Sequence, residues 1–129
     1  MKQLFALLFC ATLLVGCTSK PVLNPSEQVP ANVHADQATM QKAIVDALTS
    51  RGWTVQQVTP TDIRAAITVR NRHRAQIAIN YSPLDYQIQY VNSSGLDYKD
   101  GKIHRNYNRW VANLSNTIRQ NLTTATNAQ

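Results

Sequence analysis

From Ile63 to Val91 the chain repeats one pattern, and that pattern leaves few folds open to it. In Ile63-Arg64-Ala65-Ala66-Ile67-Thr68-Val69-Arg70 the odd positions are apolar or small. In Arg74 to Tyr81 they are Ala75, Ile77, Ile79 and Tyr81; in Tyr86 to Val91 the alternate set is Tyr86, Ile88 and Tyr90. A period of two predicts strands with one face on a core and the other in water. The joints agree with one another. Tyr81 and Tyr86 share a face if Ser82-Pro83-Leu84-Asp85 forms the loop, and Pro83 suits the first corner of a type I turn. Val69 and Ala75 share a face if Asn71-Arg72-His73 is the loop. Both register matches predict an antiparallel meander. An earlier run, Trp53 to Thr59, puts Trp53 and Val55 inward and breaks step at Gln57-Val58, which predicts a bulge.

Helical spacing brackets these strands. Met40, Ala43, Ile44, Ala47 and Leu48 form an apolar stripe between a capping Asp36 and a terminating Gly52, which predicts a helix from about Asp36 to Arg51. Tyr107, Trp110, Val111, Leu114, Ile118 and Leu122 form a second stripe, predicting a helix from about Arg105 to Thr123. Between Asn92 and Arg105 the pattern lapses, and Asp100-Gly101 marks a turn. The expected architecture is α+β: helix, four-stranded antiparallel meander, helix (αββββα). Both helices are expected on one face of the sheet, because each strand has a polar side. With 129 residues the chain has room for one domain.

The N-terminus has a different character. Met1-Lys2-Gln3 is a short positive segment, and Leu4 to Val15 is apolar apart from Thr12. That run has signal-peptide length and is too short to span a bilayer. It ends in Leu14-Val15-Gly16-Cys17, which resembles the lipobox of bacterial lipoproteins. The resemblance implies cleavage ahead of Cys17 and acylation of its thiol, with palmitate-type chains and no further cofactor. Two or more chains make such attachment stable, at about 0.8 kcal/mol per buried methylene. Cys10 would leave with the signal, so the mature chain would have no disulfide and no cysteine metal ligand. Thr18 follows Cys17, where Gram-negative lipoproteins kept in the inner membrane carry Asp. The expected address is therefore the outer membrane, facing the periplasm. The expected organisation is a signal peptide at 1–16, a lipidated cysteine with a Pro-rich tether at 17–34, a globular domain at 35–124 and a disordered tail at 125–129.

Charge narrows the partners. The chain has 13 Lys and Arg against 7 Asp and Glu. This excess suits acidic partners such as lipid phosphate or envelope polymers, but no basic run is long enough for a nucleic-acid arm, and no nucleic acid is expected. Arg70, Arg72 and Arg74 crowd one hairpin tip beside His73. Outward Gln76, Asn80, Gln87 and Gln89 make an amide-rich sheet face.

Catalytic patterns are scarce. His34, His73 and His104 lack a second ligand at helical or strand spacing, so no metal is expected. There is no Gly-x-Ser-x-Gly elbow, no glycine-rich phosphate loop and no close carboxylate pair. Only His104, with Asp97 and Asp100 shortly before it, offers an acid–base constellation, and an enzyme built on it requires a cleft between Asn92 and His104.

The segment from Tyr90 to Tyr98, continuing through Gly101 to Trp110, together with Arg51-Gly52-Trp53 and the lipobox, resembles a family of small proteobacterial lipoproteins with no assigned activity. No catalytic residue follows from that resemblance. Tyr98, His104, Asn106 and Asn108, with Arg70, Arg72 and Arg74, are the expected recognition surface. The leading expectation is a non-enzymatic envelope binding or assembly module, attached to the membrane by its N-terminal lipid, with an envelope protein, glycan or lipid phosphate as partner. An envelope enzyme using His104, and a structural accessory of an outer-membrane complex, are the alternatives.

Overall fold

The computed structural model describes residues 18–33 and 35–127. The expected signal peptide, Cys17 and His34 lie outside the described residues. The described chain is α+β, with two helices and a mostly antiparallel sheet system.

Strands β1 (Ser19–Pro21) and β2 (Ser26–Gln28) come first, followed by α1 (Gln37–Ser50). Asp36 accepts a hydrogen bond from the Thr39 N–H at 2.7 Å and caps α1. That bond to Thr39 holds the Asp36 carboxyl below its usual range. Met40, Ala43, Ile44, Ala47 and Leu48 are all buried. The helix stops at Arg51, and Gly52 follows with φ 85°.

The expected strands all form. They are β3 (Thr54–Val58), β4 (Asp62–Val69), β5 (His73–Tyr81) and β6 (Asp85–Ser94). Tyr81 pairs with Tyr86, as their shared face requires. The bulge in β3 falls between Val55 and Gln57. The β4–β5 hairpin turns one residue earlier than expected. Its loop is Arg70-Asn71-Arg72, with Val69 paired to His73. Arg70 and Asn71 both sit at φ 56°, the left-handed conformation of a type I′ turn, which matches the twist of the flanking strands.

Two expectations are corrected, the strand count and the free tether. The main sheet has five strands, in the order β2-β6-β5-β4-β3, because Ser26–Gln28 pairs with Asp85–Gln87 along the free edge of β6. A second sheet of two strands joins β1 to β7 (Lys102–His104). Residues 18–33 are therefore woven into the domain instead of forming a free Pro-rich tether. An unpaired β6 edge offers N–H and C=O groups that need partners, and the segment satisfies them. Asn24 Oδ1 accepts from Tyr90 N–H at 2.9 Å, and the Pro25 carbonyl accepts from Ile88 N–H at 2.8 Å.

Helix α2 (Arg105–Asn127) runs past the expected end at Thr123. Residues 125–127, expected in a disordered tail, are its last helical residues, with Thr126 Oγ1 donating to the Leu122 carbonyl at 2.9 Å. Residues 128–129 lie outside the described residues. The two helices pack against each other. Arg51 Nε donates to Thr117 Oγ1 at 2.9 Å, and Asn121 Nδ2 to the Ala43 carbonyl at 3.0 Å. Their buried stripes join Trp53 and the inward-facing strand residues in one core cluster, with Trp110 half-buried at its margin. Beneath it, Tyr86 Oη donates to the Ser115 carbonyl at 3.1 Å and lies 2.7 Å from Ser115 Oγ. No described helix is long and apolar enough to cross a membrane.

Candidate functional site

The stretch from Asn92 to His104 folds down on the core. Leu96 and Ile103 are buried. Between them, Lys99 and Lys102 exchange backbone hydrogen bonds of 2.9 Å across Asp100-Gly101, whose φ values of 53° and 76° make a tight two-residue hairpin. The His104 N–H donates to the Leu96 carbonyl at 2.9 Å, closing the excursion.

The hairpin tip packs against this stretch. Gly95, at φ 72°, lies so close to the Arg72 carbonyl that a side chain at position 95 would collide with it. His73 Nδ1–H donates to the Gly95 carbonyl at 2.8 Å. On the far side, Ser19 pairs with His104, and the Arg105 N–H donates to the Thr18 carbonyl at 2.8 Å. Each step is a direct contact: the tip meets Gly95, Leu96 meets His104, and His104 meets Ser19. The basic hairpin and the point where the chain leaves Cys17 are thus brought to one end of the domain.

The expected recognition residues divide by what they touch. Arg70, Arg72 and Arg74 are exposed at the tip. Tyr98 is 47% exposed, its ring stacked on Tyr90 at 4.5 Å between centroids. Tyr90 in turn meets Tyr107 edge-on at 5.5 Å. Asn108 is occupied internally. Its Oδ1 accepts from the Leu23 N–H at 2.9 Å and its Nδ2 donates to the Pro21 carbonyl at 2.9 Å, so it clamps the N-terminal segment. His104 Nδ1 accepts from the Asn106 N–H at 3.1 Å and starts α2, a bond that takes up one ring nitrogen. Neither Asp97 nor Asp100 is hydrogen-bonded to His104. Asn106 is half-buried in the same helical turn. No family model matches the chain, and no curated protein matches it.

Among the described residues, no three His, Cys, Asp or Glu side chains gather into a group able to hold a metal ion. The outward sheet face carries a ladder of amides. Gln76 Nε2 donates to Gln56 Oε1 at 2.8 Å across the small Ala66, and Asn92 Nδ2 donates to Gln76 Oε1 at 2.9 Å. These amides largely satisfy one another.

Lys20, Lys102 and Arg105 stand at the same end as the tip and were not among the sequence candidates. They are exposed, and β1–β7 pairing sets Lys20 against the Lys102–Arg105 strand and helix start. Lys20 is remote from the other two in sequence, so no local pattern could have joined them.

Proposed function

We propose that this chain is a lipid-anchored protein of the bacterial envelope, and that its domain works at the membrane surface as a non-enzymatic binding or assembly module. The anchor is Cys17, the address the outer membrane on its periplasmic side. The positive start, the apolar run and Leu14-Val15-Gly16-Cys17 support the anchor. The observation that carries the surface role is the Thr18–Arg105 hydrogen bond, which leaves no slack between residue 17 and the domain. A binding role is also in keeping with how the titratable groups are used. His104 starts a helix, His73 braces a loop, and the buried hydroxyl of Tyr107 faces the core, its pKa pushed up by burial.

The test is the intact mass of protein extracted from membranes, beside a Cys17→Ala variant. Cleavage ahead of Cys17 plus acyl chains, absent in the variant, is the expected result. An unacylated chain would overturn the anchor and with it the surface role.

A further inference from the structure

The sequence gives a net positive charge; the fold decides where it lies. Around the point where the chain leaves Cys17, Lys20 and Arg105 flank Thr18, Lys99 and Lys102 face each other across their turn, and Arg70, Arg72 and Arg74 project from the hairpin packed on Gly95. All seven are exposed, and none forms an ion pair among the described residues. Only two carboxylates, Asp97 and Asp100, share this end. From Thr18 onward, the rest of the chain has five basic and five acidic residues, so the whole net charge of that span resides here.

The opposite end is acidic. Glu27 and Asp85 both lie on the paired β2–β6 edge, Glu27 opposite Tyr86 and Asp85 opposite Gln28; Asp62 begins β4, and Asp36 caps the helix whose Gln37 reaches the Pro60 carbonyl. Arg64 and Arg119, which lie toward that end, are drawn to Asp62 at 3.5 Å and Glu27 at 3.9 Å. Arg119 is about 20 Å down α2 from Arg105, at 1.5 Å rise per residue. The molecule is thus an electric dipole with its positive pole where the anchor begins. Tyr98, the one large exposed aromatic at this pole among the described residues, has the amphipathic ring favoured at headgroup depth.

We propose that this basic end is a docking surface for anionic phospholipid headgroups, seating the domain against the bilayer that holds its anchor. The orientation rests on the reading of Cys17 as the acylated residue; the affinity for anionic lipid does not. An anionic surface attracts the positive pole and repels the carboxylates at the other, and each basic residue near it changes partition about fivefold.

The experiment removes the anchor so that lipid affinity is read alone. All the described elements lie within 18–127, so a chain starting at position 17 with Cys17→Ser keeps the folded unit. It is sedimented with vesicles of phosphatidylcholine and phosphatidylglycerol in equal parts, and with phosphatidylcholine alone, at low and high salt. Salt-sensitive binding to the mixed vesicles alone is expected, because exposed charges are screened. Replacing Arg70, Arg72 and Arg74 together by Gln should lower partition about a hundredfold. Lys99→Gln with Lys102→Gln, on a separate element, should lower it about twentyfold to thirtyfold. Lys42→Gln, Arg64→Gln and Arg119→Gln together remove as much charge as the tip variant and should leave binding nearly intact. Circular dichroism confirms that each variant is folded. Equal binding to both vesicle types, no binding, or equal losses in the tip and control variants would overturn the proposal. None of these outcomes alters the intact-mass result for Cys17, so the two readings fail separately.

Discussion

The backbone N–H of Arg105, the first residue of α2, donates to the carbonyl of Thr18 at 2.8 Å. One bond therefore joins the start of the long helix to the residue that follows the proposed anchor. It is a main-chain contact, so most side-chain substitutions leave it unchanged. Proline at position 105 is the exception. It has no N–H to donate, yet it is well tolerated at the first helical position, and the extended backbone of His104 suits a residue preceding proline.

Arg105→Pro should therefore free the latch and spare the helix. Amide exchange at residues 18–20 should accelerate, while global stability changes by no more than about 1 kcal/mol. Exchange measured by mass spectrometry checks this. Unchanged protection at 18–20 would mean that β1–β7 pairing suffices without the latch.

Asn108 is the second fastening of the same segment, through its bonds to Leu23 N–H and the Pro21 carbonyl. Asn108→Ala should cost about 1–3 kcal/mol in denaturant unfolding and expose residues 18–24 to proteases. A recognition residue without a structural role would leave both measurements at wild-type values.

Gly95 meets the Arg72 carbonyl with no room for a Cβ, at a backbone conformation that side chains disfavour. Gly95→Ala must displace backbone, so a loss of about 2 kcal/mol or more is expected in thermal unfolding. The strain falls on the contact that sets the Arg70–Arg74 tip beside the anchor, so anionic vesicle binding should weaken too. Gly101→Ala is the comparison. Its φ is also positive, at 76°, but nothing stands within reach of its Cβ, so the smaller cost is expected there.

Tyr107 is fully buried, and its hydroxyl has no hydrogen-bond partner among the described residues. Tyr107→Phe should stabilise the domain, by about 1 kcal/mol, because burying that hydroxyl costs free energy on folding. Burial also raises its pKa above the usual 10.0, with Tyr90 adding a smaller push. The folded state thus holds this proton more tightly than the unfolded chain. Its contribution is complete below about pH 10 and is lost as pH rises further, by up to about 1.4 kcal/mol per unit. Tyr86 and Tyr81 are shifted the same way, chiefly by burial. Alkaline denaturation should be shallower in Tyr107→Phe, and identical slopes would contradict the assignment.

The sequence by itself determined the elements whose signal is repetitive. The alternation through β4, β5 and β6 set which residues face the core, and the face shared by Tyr81 and Tyr86 set their pairing. The stripes of α1 and α2, with Asp36 and Gly52 at the ends of the first, located both helices. These patterns are legible because burial demands apolar side chains at a fixed period. Only the tertiary structure decided the rest. Strands β1 and β2 have three residues each, the first ending in Pro21 and the second following Pro25, and carry no alternation, because main-chain bonds hold them with little demand on side-chain type. Leu96 and Ile103 were too isolated for a period to mark them, yet they close the core beneath the basic end. The site follows from the same cause. Arg70–Arg74 could be read as a cluster because they are neighbours in the chain. Their union with Lys20, Lys99, Lys102 and Arg105 depends on β1–β7 pairing and on Gly95 packing, contacts between remote segments that no local pattern encodes.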